Sequence, residues 1–233
     1  MNDFIISARN YVKELQEDQP LLAIVAEHSD KVQVAGKYVL FVEYNNEVFS
    51  DSFDLEIIID KYFPYTVPIV KELGGRIQSD NYGEHIYSDR SLCLEIPTRI
   101  LIDLDKNPSL KYFSKEYIQP FLFGFIYYQK YCQFPFGEYK HGELGLLEYY
   151  CTVFKVEKSH QVCKLLGLVF YDIFNSQCKC PCGSGQKYWD CHNQQVNNMR
   201  QSKYAWFYKL DFSKIAISLF PLKMKRLRTK ENK

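Results

Sequence analysis

The strongest chemical signal in the chain comes from four side chains close together in sequence. Cys180, Cys182, Cys191 and His192 form a C-x-C-x8-C-H pattern within CKCPCGSGQKYWDCH, Cys178 to His192. Three thiolates and one imidazole in a tetrahedral array suit Zn²⁺, which has no ligand-field preference and favours sulfur and nitrogen donors. An extended Cys-x-Cys pair can aim both sulfurs at one ion. Gly183-Ser184-Gly185 then lets the chain reverse with its N–H groups turned toward the thiolates, and Tyr188 and Trp189 can cover the site. Four protein ligands close the coordination shell, which is the structural rather than the catalytic arrangement. So short a segment cannot fold without its ion. Cys178 reads as a free thiol beside the set.

The run from Cys180, Cys-Pro-Cys-Gly-Ser-Gly-Gln-Lys-Tyr-Trp-Asp-Cys-His, closely resembles the SEC-C motif. That motif ends the bacterial secretion ATPase and is appended to many unrelated bacterial proteins. The resemblance covers Cys180 to about Asn193. It implies a structural zinc and a contact with a protein target or docking partner, and it names no reaction.

A second candidate is Cys93. A free cysteine is either a reactive nucleophile or a small buried hydrophobe, and flanking Leu92 and Leu94 are compatible with burial. The order of residues around it points to chemistry. FPYTVPIV (Phe63 to Val70) leads through an irregular stretch to IYSDRSLCLEIP (Ile86 to Pro97). This order resembles the ubiquitin-conjugating enzyme family, where a proline-rich turn precedes a strand, an irregular loop and a Cys-Leu pair holding the nucleophile. FPFGEYKHGELGLLEYY (Phe134 to Tyr150) is similar to a segment of the family's prokaryotic branch. The resemblance spans about Asp3 to Val156. It implies that Cys93 takes a ubiquitin-like protein from an activating enzyme as a thioester and yields it to an amine. Sulfur suits both steps, being a good nucleophile and a good leaving group.

The family's His-Pro-Asn tripeptide, whose Asn supports the oxyanion, is missing here. Counting forward from Pro68 puts Asn81 at the Asn position; counting back from Cys93 puts His85 near the His position. His141 or Glu138 could stand as a polar group near the cysteine, or the Gly137–Glu143 stretch could simply cap the loop ahead of a helix. Cys132, Cys151 and Cys163 fall in helical stretches and read as core.

The elements that must position these groups follow from periodicity. Phe4, Ile5, Ala8, Tyr11, Val12 and Leu15 fall at helical spacing over residues 3–17. Residues 32–43 alternate as a strand with a turn or bulge at Gly36. Tyr44-Asn45-Asn46-Glu47 signals a hairpin into a second strand through Ile59. Val67 to Leu73 reads as a third strand, and residues 74–92 as an irregular loop. Helices are expected from about Ser114 to Gln133, Gly142 to Phe154 and Ser159 to Phe174. Residues 197–220 read as a helix followed by a β-branched run.

Composition narrows the class. The chain has 233 residues, 46% hydrophobic, enough for one large domain or one with a small satellite. A net charge of +1 argues against a nucleic-acid binder, although the segment Lys223 to Lys233 is basic. FLFGFIYY, Phe121 to Tyr128, is the most apolar run and is too short to span a bilayer. With no signal-peptide pattern at the N-terminus, the expected compartment is a bacterial cytoplasm, where clustered cysteines bind metal rather than pair. The expected fold is α+β, a ubiquitin-conjugating-like antiparallel meander packed with helices, plus a small zinc knuckle. Its expected parts are the conjugating-like domain at 1–156, a connecting helix at 157–177, the knuckle at 178–195 and a helical, basic tail at 196–233. The alternative function is a non-catalytic module of the same fold that binds protein through the knuckle.

Overall fold

A computed structural model describes residues 3–78, 85–136, 140, 142–171 and 175–219. The chain is mixed α/β and divides into two compact units, Met1–Gly137 and Glu138–Lys233.

The first unit is built on a four-stranded antiparallel sheet in the order β1-β2-β3-β4. Its strands are β1 (Leu22–Glu27), β2 (Lys31–Tyr44), β3 (Glu47–Asp60) and β4 (Ile69–Glu72). The two long strands pair without a slip from Lys31↔Asp60 to Tyr44↔Glu47. Asn45 and Asn46 make the turn at φ 52° and 61°, the left-handed pair a two-residue hairpin needs. Alternation decides the buried face. Val32, Val34, Tyr38 and Leu40 of β2 meet Phe53, Leu55, Ile57 and Ile59 of β3 on the core side. Helix α1 (Asp3–Gln16) buries Ala8, Val12 and Leu15 against β1 and β2.

Gly36 stays in register in both ladders, so it is neither a turn nor a bulge; the irregularity lies in β1, between Ile24 and Ala26. Its role is clearance. At φ 144°, a Cβ on Gly36 would stand 2.1 Å from the Leu21 carbonyl oxygen. Strand β1 itself goes unseen in the sequence because Val25, on its solvent side, is apolar yet 61% exposed, which hides the alternation.

After the sheet come α2 (Pro97–Lys106), α3 (Leu110–Phe113), a π-helical turn (Ser114–Ile118) and α4 (Gln119–Tyr131). The sequence reading stops at Pro97, whereas proline at the first helical position opens α2. The π turn has a cause in Pro120, which lacks an N–H and whose ring would strike the preceding turn of a regular helix. The Gln119 N–H reaches back to the Ser114 carbonyl instead. Ser114 is tied to the sheet by a 3.0 Å hydrogen bond with the buried Tyr38 hydroxyl.

The second unit holds α5 (Gly142–Phe154), α6 (Ser159–Phe170), α7 (Asn193–Gln201) and α8 (Ala205–Leu219). Helix α5 packs on α6 and α8, and α6 and α7 pack on α8. The Tyr150 hydroxyl donates to buried Asp211 of α8 at 2.7 Å. Helix α5 buries Leu146, Tyr150 and Phe154 and packs on C-terminal helix α8. One expectation is corrected here. The β-branched run expected after 197 is helix α8, with Ile215 buried among its neighbours. Among the described residues no helix is long and apolar enough to cross a membrane.

Candidate functional site

The Cys180–His192 segment folds back on itself. The Cys180 N–H donates to Gln186 O at 2.7 Å, the Tyr188 N–H donates to Cys178 O at 2.9 Å, and Lys179 bridges Lys187. Gly183 and Gly185 turn the chain at φ 84° and 80°, values that cost a side-chain-bearing residue. Gly183 is also close-fitted, since a Cβ there would meet the Gln161 amide nitrogen at 2.8 Å.

This reversal gathers the four predicted ligands. One donor atom from each of Cys180, Cys182, Cys191 and His192 lies within 4.8 Å of the others, and the set could hold a metal ion. The Cys182 and Cys191 sulfurs are 3.6 Å apart. His192 Nδ1 stands 3.4 Å from Cys180 Sγ and 3.1 Å from Cys191 Sγ. Four donors around one tetrahedral zinc stand about 3.5–3.8 Å apart, so the spacing fits.

The outer contacts support the same reading. His192 Nε2 lies 2.9 Å from the Phe154 carbonyl oxygen. A carbonyl only accepts, so Nε2 carries the ring proton and Nδ1 keeps its lone pair for a metal. The Ser184 N–H donates to Cys182 Sγ at 3.4 Å. Burial pushes the Cys182 thiol up, but hydrogen bonds from the Ser184 hydroxyl and N–H, together with the Cys180 and Cys191 thiols, outweigh it and bring the thiol down to about 7. Cys180 moves the other way, with burial as the main cause. Cys178 is exposed and outside the set. Tyr188 is buried; Trp189 is 62% exposed and is no lid.

The cluster is fastened to the helices of its own unit. His192 caps the last carbonyl of α5, and Gln195 Nε2 donates to the neighbouring Val153 carbonyl at 2.9 Å. Gln161 of α6 donates to the Cys182 carbonyl. None of these links is visible as a spacing in the sequence.

Cys93 lies in the first unit, in the segment between β4 and α2. Its backbone N–H donates to His85 O at 2.7 Å, and the preceding Leu92 N–H donates to Val70 O of β4 at 2.8 Å. Residue 93 is half-buried, and its thiol donates to the Tyr87 hydroxyl at 3.2 Å. Burial pushes the thiol up, the Tyr87 contact pulls it down, and Glu95 pushes it up again, for a net rise. At neutral pH the group rests as a thiol.

The other candidates divide. His85 touches Cys93 through its backbone carbonyl, while its ring packs near Phe134 and Phe121 at 5.4 and 6.2 Å. Asn81, Glu138 and His141 lie outside the described residues. Cys132 is not core: it is exposed and ends α4 in the left-handed region at φ 53°. Cys151 and Cys163 are only half-buried. Tyr87 is the residue sequence reasoning missed. The contact depends on a turn that brings together two residues six apart, and no motif marks it.

No protein-family model, curated protein or solved structure matches this chain.

Proposed function

We propose that the chain is a ubiquitin-conjugating-like transferase that carries a ubiquitin-like protein as a thioester on Cys93. The observation that carries this is the setting of the thiol. Cys93 is half-buried against the Tyr87 hydroxyl, on a segment hydrogen-bonded to the edge of a four-stranded antiparallel meander and followed at once by helix α2. The reading supplies an activating enzyme and a ubiquitin-like modifier as partners in a bacterial cytoplasm. The test incubates the protein with candidate activating enzyme, modifier and ATP. A reducible adduct absent from Cys93→Ala supports the reading; no adduct, or one that survives Cys93→Ala, sinks it.

The second unit is proposed to hold one structural Zn²⁺ on Cys180, Cys182, Cys191 and His192, in the manner of the SEC-C motif, with the knuckle as a protein-docking element. Bound there, zinc would supply cross-linking rather than reactivity, since four protein ligands fill its shell. Metal analysis should give one zinc per chain, lost when Cys180 and Cys182 are both replaced by Ser. Folded protein without zinc contradicts the assignment.

One observation favours a non-catalytic protein-binding module instead. Burial raises the Cys93 thiol, so little thiolate stands ready at neutral pH. Zinc-dependent partner capture with no thioester is the result expected of that module.

A further inference from the structure

Tyr87 and Cys93 come from a turn held at many points. The Tyr87 N–H donates to Ser91 O and the Arg90 N–H to Tyr87 O, both at 2.9 Å. Asp89 accepts from the Ser91 N–H at 3.0 Å and from its hydroxyl at 2.6 Å, and Arg90 takes φ 67° to close the turn. Ile86 bridges Leu92, and Ser91 bridges Lys71 of β4. The 3.2 Å contact between Tyr87 Oη and Cys93 Sγ is therefore set by backbone hydrogen bonds on both sides of the turn.

We propose that Tyr87 is the activating residue for Cys93, its phenolic O–H donating to the sulfur whenever that sulfur carries negative charge. This rests on the thioester-carrier reading above and adds the group that makes the sulfur competent. In the resting pair the thiol donates to Oη. When the thiol proton leaves to water, the bond reverses, and the phenol donates to S⁻ as a charge-assisted hydrogen bond. Tyr87, 48% exposed overall, stays protonated throughout, because partial burial, the hydrogen bond to Cys93 and the Cys93 and Asp89 charges push it above the ordinary phenol value.

The chemistry uses the same bond twice. The Cys93 thiolate attacks the carbonyl of the incoming thioester; the new C–S bond forms, the donor's C–S bond breaks, and the donor sulfur leaves as thiolate. In the second step an acceptor amine forms the C–N bond, its proton goes to water, and Cys93 departs as thiolate. Negative charge sits on Cys93 before the first step and after the second, so one donor 3.2 Å away assists both. A thiol raised above ambient pH gains more from a larger thiolate fraction than it loses in intrinsic nucleophilicity.

The other ionisable groups around the pair work against it or are already engaged. Glu95 raises the thiol and is itself held by Arg99 at 2.6 Å, while Asp89 is held by Ser91 and faces the charge of Lys71. His85 meets Cys93 through its carbonyl.

The test is the pH profile of Cys93 alkylation by iodoacetamide in the full chain. The other cysteines are followed separately by peptide mass spectrometry. Tyr87→Phe keeps the ring and removes only the O–H. The expected result is an upward shift of the Cys93 midpoint by about one pH unit, or roughly tenfold slower alkylation below it, with an unchanged melting temperature. An unmoved or lowered midpoint in folded Tyr87→Phe overturns the proposal. If Tyr87→Phe loses stability, the midpoint is read at a temperature where circular dichroism matches wild type, and the same criterion applies. A shifted midpoint with no thioester on the wild type sustains the Tyr87–Cys93 assignment and overturns the carrier reading. The two failures are thereby told apart.

Discussion

His192 does two things at once, and substitution can separate them. Nδ1 belongs to the candidate metal set, and Nε2 donates to the Phe154 carbonyl at 2.9 Å. His192→Cys keeps four donors for zinc but removes the Nε2–H. Phe154 is 0% exposed, so water cannot take the place of the lost donor. An orphaned buried carbonyl costs roughly 1–3 kcal/mol, about 5- to 150-fold in a local opening constant. That cost falls on the end of α5, where the Lys155 N–H donates to Thr152 O and the Val156 N–H to Cys151 O. Hydrogen exchange at those two amides should accelerate by that factor, while metal analysis still finds one zinc per chain. His192→Ala removes both roles and should lose the metal as well. Exchange at Lys155 and Val156 within twofold of wild type, in metal-loaded His192→Cys, would refute the idea that the imidazole fastens α5.

Three further outcomes follow from the first unit. Gly36→Ala places a methyl 2.1 Å from the Leu21 carbonyl at φ 144°; strain and clash together should cost about 3 kcal/mol or more, read as a lower denaturant midpoint. Tyr38→Phe breaks the buried bond to Ser114 and should cost about 1 kcal/mol, much of it recovered in the double variant with Ser114→Ala, where no polar group is left unpaired; a double variant weaker than the single would count against this. The Arg76 guanidinium, through its hydrogen bonds, holds the Asp51 carboxyl below the ordinary aspartate range. Its folded value lies below its unfolded value, so the associated stability is present above about pH 4 and is lost as pH falls through the folded value. Asp51→Asn should flatten the acid limb of stability against pH below about 4, and an unchanged limb would remove Asp51 from the account.

What could be read from the sequence depended on whether the relevant contact is local. The β2–β3 hairpin was legible because one face of each strand is buried and two asparagines make the turn. Strand β1 was not, because Val25 puts an apolar side chain on the exposed face. Helix α2 was lost because a proline reads equally as a breaker and as a first helical residue. The Cys/His cluster was legible for the same reason as the hairpin: its four residues come from one short segment. The contacts that give these groups a setting are longer in range or depend on a turn. Tyr87 meets Cys93 across six residues only after the Arg90 turn closes, and His192 meets Phe154 across 38. Hence the Cys180–His192 segment, which spacing presents as a self-contained staple, hydrogen-bonds to the C-terminal carbonyls of α5. Four carbonyls at a helix end lack intrahelical partners, and here His192 and Gln195 reach the Phe154 and Val153 carbonyls, which the last turn of α5 supplies. A Cys/His cluster able to hold a metal that also caps a helix would link any metal it binds to the packing of the helices around it, and such a link cannot be read from the spacing of the four residues.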